Sequence, residues 1–428
     1  MIDIYLREEF YVYDVYHITK AFLPDEEIKQ HIDPAQEEFL IIKTSDEIIL
    51  GIADIKDTVG TGADRKQKKN LVNKQIYMQL CRYTGKELAW GVLTGIRPTK
   101  LAVKQMEEGR GEEEIIRWLS AHYMVTKEKA RLGVEIAKRE KALLEQLDYK
   151  DGYSLYVGIP FCPSICSYCS FSSYPIHVWR ERVEEYIEAL LRELTAVGEA
   201  SGDKKLNTVY IGGGTPTTLE PGQLDRLLAH MEKTFSYADL KEFTVEAGRP
   251  DSITREKLEI LRGHNISRIS VNPKTMQQKT LDTIGRKHTV RDVVDVFHLA
   301  RELGFNNINM DLIAGLTGER LSDMEDTLRQ IKELGPDSLT VHSLAIKRAS
   351  RLHRTEGHKK QLGEAEELSR MIELAADYAK EMGLLPYYLY RQKNIAGNFE
   401  NVGYAKVDKA GIYNILIMEE KQSIIACG

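Results

Sequence analysis

The sequence predicts an α/β fold whose core is a parallel sheet. From about Tyr156 to Leu344, short apolar runs alternate with longer amphipathic segments, and polar or Gly/Pro breaks separate them. Strands that alternate with helices of this length are typical of βαβ units. Six units could form an open doubly wound sheet or a partial barrel, and periodicity does not distinguish the two. In both architectures ligands bind at the carboxyl ends of the strands.

Each predicted strand is an apolar run that ends at a turn signal. The six runs are Tyr156–Pro160, Thr208–Gly213, Glu242–Ala247, Arg268–Asn272, Asn307–Ile313 and Ser338–Leu344. The apolar residues between these runs recur at helical spacing. Helices are therefore expected at Val178–Glu199, Gln223–Thr234, Arg255–Arg262, Val290–Leu303 and Leu321–Leu334.

Outside this alternating region the sequence predicts fewer elements. Residues 1–145 lack the alternation, so we expect them to form a separate N-terminal α+β domain. The strands predicted outside the region are Ile2–Leu6, a hairpin of Phe39–Lys43 with Glu47–Ala53, and a second hairpin of Tyr413–Met418 with Ser423–Ala426.

Charge argues against a nucleic-acid partner. Lys and Arg total 59 against 65 for Asp and Glu, which gives a net charge of -6. Two helices are expected at about 66–83 and 98–107, and five basic residues lie between Arg65 and Lys74. No aromatic residues interleave with these charges, so we interpret the cluster as a solvated helix start.

The sequence predicts a cytoplasmic protein. No apolar run approaches the ~20 residues that a membrane-spanning helix needs. Asp3, Arg7, Glu8 and Glu9 lie in the first ten residues, which excludes a signal-peptide apolar region there. Five cysteines in 428 residues do not form a disulfide framework, and three of them lie within eight residues. This pattern indicates metal or redox chemistry.

The strongest chemical feature is a cysteine loop that follows the first predicted strand. It has the sequence Cys162-Pro-Ser-Ile-Cys166-Ser-Tyr-Cys169, a C-x3-C-x2-C spacing. Three thiolates on one short loop can converge on a metal centre. An iron–sulfur cubane with three cysteines leaves one iron open to an outside ligand, whereas structural zinc takes four ligands. Three unrelated buried cysteines are the remaining alternative. The candidates for a fourth zinc ligand are His177, Cys81 and Cys427.

The segment from Tyr156 to Cys169 resembles the cluster loop of radical S-adenosylmethionine (SAM) enzymes. More narrowly, it resembles that of the oxygen-independent coproporphyrinogen III oxidase family. Gly212-Gly-Gly-Thr-Pro-Thr217, at the second strand end, is similar to the SAM-contacting turn of that family. Segments that follow in the family's order and spacing are Val245–Ala247, Ile284–His288 and Asn309–Leu316. Those that resemble the HemZ branch of the family are Leu93–Lys100 and Tyr387–Tyr404.

The resemblance implies a partial (β/α)6 radical SAM barrel at 150–385, followed at 386–428 by the start of a substrate-covering region. It also implies a [4Fe-4S] cluster held by Cys162, Cys166 and Cys169, with one SAM, or two, bound beside it. The SAM-contact positions of the family fall on Tyr156, Tyr168, Gly213, Gly214, Thr215, Glu246, Lys274, Arg286, Asp311 and Ala345.

Two of these positions are carboxylates in predicted core strands. A buried carboxylate must be paired or bound. We therefore interpret Glu246 and Asp311 as SAM contacts in preference to structural salt bridges.

The sequence departs from the family's pattern at two positions. Phe171 stands where family decarboxylases often have a fourth cysteine. Lys274 stands where the family has a glutamine of the second SAM site, and we expect its ammonium group to meet a carboxylate of SAM or substrate. The family also continues beyond Gly428, so the C-terminal extension is expected to be incomplete.

The function that the resemblance implies is oxidative decarboxylation of two propionates of coproporphyrinogen III, which forms protoporphyrinogen IX in haem biosynthesis. A flavodoxin or ferredoxin would supply the electrons. Two alternatives are a haem-trafficking protein of the same fold and a radical SAM methyltransferase that opens haem. Two interpretations stay open for Tyr387, Tyr388, Tyr390, Arg391 and Lys393. These residues either bind the propionates of the substrate or belong to a solvated amphipathic strand.

Overall fold

The computed structural model describes residues 1–53, 64–95, 97–344, 365–391 and 399–428. The chain divides into two compact units. The first unit comprises Met1–Ala137 and Tyr390–Glu400, and the second unit comprises Lys138–Leu389 and Asn401–Gly428.

The first unit contains a four-stranded sheet in the order β2-β1-β3-β4. Its strands are β1 (Ile2–Leu6), β2 (Ile28–Ile32), β3 (Leu40–Lys43) and β4 (Ile48–Ile52). Strand β1 runs parallel to β2 and antiparallel to β3, and β3 pairs antiparallel with β4. The first predicted strand and the hairpin are therefore confirmed. Strand β2 was not predicted, because its Lys-Gln-His centre lacks an apolar alternation.

Five α-helices are described in the chain before residue 145. They are α1 (Val12–Phe22), α2 (Arg65–Thr84), α3 (Thr99–Glu107), α4 (Glu112–Tyr123) and α5 (Lys127–Leu144). The predicted helices near 66–83 and 98–107 are confirmed as α2 and α3. Helix α2 begins after Asp64, whose carboxylate accepts a hydrogen bond from the Gln67 N–H. Two of its basic residues bind other parts of the first unit. Lys69 forms an ion pair with Asp14, and Lys74 donates a hydrogen bond to the Ala121 carbonyl oxygen.

A nine-stranded sheet, which carries the candidate site, has the order β13-β14-β12-β11-β10-β9-β8-β5-β15. The six central strands from β12 to β5 are parallel to their neighbours, as the alternation of strands and helices predicts. They are β5 (Gly152–Ile159), β8 (Lys205–Gly213), β9 (Glu242–Gly248), β10 (Arg268–Val271), β11 (Ile308–Ala314) and β12 (Ser338–Ser343). The other strands are β13 (Leu385–Arg391), β14 (Glu400–Ala405) and β15 (Ser423–Cys427), with the short ladder β6 (Phe161–Cys162) and β7 (Tyr174–Pro175).

The helices described in the second unit follow its strands along the chain, and most of them are amphipathic. They are α6 (Ile176–Trp179), α7 (Val183–Ala200), α8 (Pro221–Thr234), α9 (Arg255–Gly263), α10 (Gln278–Thr283), α11 (Val290–Glu302), α12 (Leu321–Leu334), α13 (Ala365–Glu381) and α14 (Ile412–Glu419). Local capping defines several of their starts. Thr254 accepts a hydrogen bond from the Lys257 N–H, and Thr289 accepts one from the Asp292 N–H. Because most central strand residues are buried, these strands lack a strict alternation of polar and apolar residues.

The predicted second hairpin is wrong. Residues 412–419 form helix α14, and β15 pairs in parallel with β5. The Glu242 carboxylate accepts hydrogen bonds from the backbone N–H groups of Ile412, at 2.7 Å, and Tyr413, at 3.3 Å. A carboxylate at these otherwise unpaired N–H groups stabilises a helix start, which sequence alternation alone does not reveal.

Within the described ranges, no helix combines the length and the apolar composition that a bilayer crossing requires.

Candidate cluster and cofactor site

The three cysteines lie on one loop at the carboxyl end of β5. Cys162 and Cys166 are buried, and Cys169 is partly buried. Residues that follow α10 hold this loop in place. The Ser167 N–H donates to the Ile284 carbonyl oxygen at 3.0 Å, and the Ser164 hydroxyl donates to the Gly285 carbonyl oxygen at 3.0 Å. The sulfur atoms are therefore presented by a loop that is braced at its middle.

Two buried guanidinium groups flank Cys166. Arg249, which follows β9, places Nη1 3.9 Å from the Cys166 sulfur, and the charge of the buried Arg286 acts on the same side chain. Burial alone would raise the pKa of the Cys166 thiol, but the charges of Arg286 and Arg249 hold this pKa below its ordinary value. The thiolate is the form that binds metals, so this environment favours ligation. Burial raises the pKa of Cys162, whose sulfur lies 3.6 Å from the Thr215 hydroxyl.

The donor set fits an iron–sulfur cluster better than a single metal ion. Within the described ranges, no three His, Cys, Asp or Glu side chains are grouped so that they could hold one metal ion. His177, the nearest candidate for a fourth zinc ligand, is exposed on helix α6. In a cubane the thiolates bind separate iron atoms, so three spaced thiols on a braced, cation-flanked loop suit that group.

The glycine-rich turn after β8 contacts the cysteine loop directly. The N–H groups of Gly214 and Thr215 donate to the carbonyl oxygens of Ile159, at 2.7 Å, and Phe161, at 2.8 Å. A Cβ on Gly214 would lie 2.5 Å from the Phe161 carbonyl oxygen, and Gly213 has a φ of +107°. Both positions therefore require glycine because of the chain's own packing.

Glu246 lies on β9, two residues before the carboxyl end of that strand. The hydroxyl of Tyr210 donates to its Oε1. Burial raises the pKa of Glu246 to about 6, and the hydrogen bond from Tyr210 opposes that rise. Tyr210 stacks against two other rings, with centroids 4.5 Å from Tyr413 and 6.1 Å from Tyr156, and the centroids of those two rings lie 6.4 Å apart. The carboxylate thus lies against a stack of three tyrosines.

Lys274 and Asp311 form a buried ion pair, with Nζ 2.9 Å from Oδ2. Although burial acts against it, the Lys274 charge holds the pKa of Asp311 well below its usual range. The Asn309 amide donates to the other carboxylate oxygen at 2.7 Å, and His342 Nε2 lies 3.7 Å from Oδ2. The partner of Lys274 in the fold is Asp311. Its contact with a carboxylate of SAM or substrate stays a prediction.

The backbone of Lys274 is also constrained. Its φ of +71° is uncommon for a residue with a side chain. The Lys274 N–H donates to the Asp311 carbonyl oxygen, and the Lys274 carbonyl oxygen accepts from the Ile313 N–H, each at 2.9 Å. Conformations of this kind persist where the surroundings determine them and often occur at functional sites.

The remaining predicted residues are distributed around the same edge. Tyr168 contacts an apolar cluster that includes Leu281 and Ile284. Arg286 donates to the carbonyl oxygens of Asn272 and Pro273. Ala345 lies outside the described residues, as does Lys393.

The propionate candidates on β13 are largely internal. Tyr387, Tyr388 and Arg391 are buried, so the solvated-strand alternative is wrong for these three residues. Arg391 donates to the Leu93 carbonyl oxygen at 2.6 Å within the first unit. Their contact with a propionate remains a prediction.

Sequence reasoning missed three side chains of this region. Tyr210 bonds Glu246, Arg249 bonds the cysteine loop, and His288 is buried with Nδ1 4.0 Å from Asp251. Burial, together with the charge of Arg286, lowers the pKa of His288 to about 4. The sequence could have indicated Arg249, because this residue directly follows a strand end, where parallel sheets bind their ligands.

The fold and the site together define a radical SAM protein. Residues 156–331 match the Radical SAM superfamily, whose members use a [4Fe-4S] cluster and SAM. The structure is similar in fold to coproporphyrinogen III oxidase (HemN) from Escherichia coli, with a TM-score of 0.54 and 22% identity. That similarity covers 67% of this chain and 66% of HemN.

Sequence comparison defines the family more narrowly. The chain is 45% identical over 368 residues to the oxygen-independent coproporphyrinogen-III oxidase-like protein HemZ of Bacillus subtilis (strain 168). The match covers 85% of this chain and 73% of HemZ. The chain therefore belongs to the HemZ family of oxygen-independent coproporphyrinogen-III oxidase-like proteins, as the sequence motifs predict.

Two other relatives match less than half of this chain. The heme chaperone HemW of Bacillus subtilis is 39% identical over 194 residues, which cover 45% of this chain and 50% of HemW. The oxygen-independent coproporphyrinogen III oxidase of Escherichia coli (strain K12) is 29% identical over 192 residues, which cover 45% of this chain and 42% of the oxidase. The chain thus spans half or less of each of these two proteins.

Proposed function

We propose that this protein cleaves SAM reductively and uses the resulting radical for oxidative decarboxylation of coproporphyrinogen III to protoporphyrinogen IX. The observation that supports the proposal best is the arrangement at one sheet edge. There the cysteine loop, the glycine-rich turn and the Glu246 carboxylate lie at the ends of three adjacent parallel strands. The 45% identity to HemZ over most of the chain supports the tetrapyrrole substrate.

Each group at this edge has a distinct role in the proposal. Cys162, Cys166 and Cys169 hold the [4Fe-4S] cluster, and the buried guanidiniums favour the thiolate form of Cys166. Glu246 uses one oxygen for Tyr210 and offers the other to the amino group of SAM. Above pH 6 it is ionised, which strengthens a hydrogen bond from an ammonium donor.

When bound, the cluster and SAM would supply a 5′-deoxyadenosyl radical, given one electron from a flavodoxin or ferredoxin type donor. Each propionate side chain then loses a hydrogen atom from its β-carbon to that radical. The carbon–carbon bond to the carboxylate breaks, CO2 leaves, and a vinyl group remains. One electron per propionate passes to a one-electron acceptor, so atoms and electrons balance.

A second candidate function is haem binding without decarboxylation. Over a similar share of this chain, identity to the heme chaperone HemW is 39%, against 29% to the Escherichia coli oxidase. Phe171, at the position of the oxidases' fourth cysteine, is 74% exposed. A bulky apolar residue there, beside the cysteine loop, is compatible with contact to a planar apolar ligand.

One anaerobic experiment separates the two functions. The reconstituted protein is incubated with dithionite, SAM and coproporphyrinogen III, and the tetrapyrroles are analysed by mass spectrometry. Decarboxylation predicts products that lack one and two formic acid equivalents, together with 5′-deoxyadenosine. Unchanged coproporphyrinogen, combined with a stoichiometric Soret band on haem titration, would support haem binding and exclude the decarboxylase proposal. A Cys166→Ala variant is the matched control for cluster-dependent turnover.

A further inference from the structure

Arg249, which contacts the cysteine loop, forms an ion pair with the more exposed Asp251. Arg249 is 3% exposed. Its Nε lies 2.9 Å from one carboxylate oxygen of Asp251, and its Nη2 lies 2.6 Å from the other. This is the bidentate geometry in which guanidinium and carboxylate groups bind most strongly.

The remaining guanidinium nitrogen of Arg249 points at the cysteine loop. Nη1 donates to the Ser164 carbonyl oxygen at 2.8 Å and to the Ser164 hydroxyl at 2.9 Å. The same atom lies 3.9 Å from the sulfur of Cys166. Arg249 is therefore oriented at one end by Asp251 and at the other end by the loop.

A positive charge 3.9 Å from a cysteine ligand affects the reduction potential of the cluster that the cysteine binds. Reduction adds one negative charge to the cluster and its thiolates, and a nearby buried cation stabilises that charge. The reduction potential of such clusters depends on net charge, hydrogen bonds to the sulfurs and solvent exposure. A carboxylate paired with the cation acts in the opposite direction, since it offsets part of the positive charge.

We infer that Arg249 and Asp251 together set the reduction potential of the cluster, Arg249 raising it and Asp251 lowering it. This inference rests on the proposed binding of the cluster by the three cysteines. It assigns both residues a tuning role, because neither supplies a ligand. The buried Arg286 carries a second positive charge that acts on Cys166, and neither substitution removes it.

The test compares reduction potentials of reconstituted variants. Arg249→Gln, Arg249→Lys and Asp251→Asn are titrated anaerobically, and the reduced cluster is followed by electron paramagnetic resonance. Arg255→Gln serves as the control, since Arg255 is an exposed residue in the helix that follows and pairs with Glu302. Iron and sulfide are quantified in each variant before titration.

Opposite shifts are the expected result. At a fixed potential, Arg249→Gln should decrease the ratio of reduced to oxidised cluster about tenfold, which corresponds to 59 mV for a one-electron couple. Asp251→Asn should increase that ratio, whereas Arg249→Lys and Arg255→Gln should stay within about threefold of wild type.

Three outcomes would overturn the inference. Unchanged potentials in both Arg249→Gln and Asp251→Asn would do so, as would shifts of both in the same direction. If Arg249→Gln loses iron, Asp251→Asn decides alone, and an unchanged potential in that variant rejects the tuning role. Failure of the wild-type protein to bind iron, by contrast, would reject the proposed cluster site itself.

Discussion

The ammonium nitrogen of Lys274 lies 2.9 Å from Oδ2 of Asp311, in a position where both side chains are largely buried. The Asn309 amide binds the other oxygen of the same carboxylate. Both oxygens of Asp311 therefore have partners within the fold, although a carboxylate can accept further hydrogen bonds. Lys274 thus neutralises a carboxylate that would otherwise be an unpaired charge in the site.

Replacing Lys274 by Gln should destabilise the protein by about 3 kcal/mol at pH 7, because the variant leaves a buried carboxylate without its cation. Lys274 depresses the pKa of Asp311 in the folded state. The stabilisation is therefore present above the unfolded-state pKa of about 3.9 and is lost as the pH falls. Urea unfolding of the apoprotein should show a wild-type advantage at pH 7 that shrinks at pH 3.5. Lys274→Arg is the control, and a gap independent of pH would contradict the pairing.

Replacing Cys166 by Ala should abolish both the iron-dependent absorbance and SAM cleavage, because three thiolates are the minimum set for the cluster. The same outcome is expected for Cys162 and Cys169. Cys81→Ser is the control, since Cys81 belongs to the first unit and is expected to be dispensable, as is Cys427. Iron analysis and 5′-deoxyadenosine formation measure the two effects. Full SAM cleavage in Cys166→Ala would refute the cluster assignment.

Replacing Glu246 by Gln should weaken SAM binding about 30-fold and leave the iron content unchanged. The expected loss is about 2 kcal/mol, typical of a hydrogen bond between charged groups. Equilibrium dialysis with labelled SAM measures the affinity. Aggregation with loss of iron would instead show that Glu246 has a structural role.

The pH dependence of SAM binding should report the ionisation of Glu246. Burial raises the pKa of Glu246 to about 6, so affinity should fall as the pH drops below this value. Tyr210→Phe removes a hydrogen bond that favours the carboxylate, which raises the pKa further, so the fall should begin at a higher pH. The groups that also act on Glu246 are Asp311, Lys274 and Arg268. Tyr413→Phe removes a hydroxyl from the same ring stack and should leave the midpoint in place. Identical profiles for the two variants would rule out the Tyr210 contact.

Replacing Glu242 by Ala should loosen helix α14, because its first N–H groups lose their acceptor. The expected cost is about 1–2 kcal/mol. Hydrogen exchange of peptides that cover 412–419 should accelerate, while Glu242→Gln, which keeps an acceptor oxygen, should change less. Equal protection in wild type and Glu242→Ala would show that the cap contributes little.

The sequence was sufficient to predict the parallel core. Apolar runs separated by helical segments mark the six central strands, because each strand buries both faces and each helix only one. The cysteine loop was likewise visible in the sequence, since its ligands are local. Helix α14 was not, because the interaction that decides it comes from Glu242, 170 positions earlier.

The polar partners within the site were also beyond sequence reasoning. Lys274 and Asp311 are 37 positions apart, and Arg249 and Cys166 are 83 apart. Such pairs form only after the parallel strands bring their ends to one edge. A pattern read along the chain shows a charged residue at a strand end, but it does not show which charge will face it.

The pairing of β15 with β5 affects how the chain folds during its synthesis. Gln422, just before β15, hydrogen-bonds Ser154 on β5, and the two residues are 268 positions apart. During synthesis from the N-terminus, β5 therefore emerges long before the strand that will cover its outer side. An uncovered apolar strand edge can pair with other chains, and contacts of such long sequence separation form slowly. The nascent protein should accordingly depend on chaperones until β15 has been synthesised.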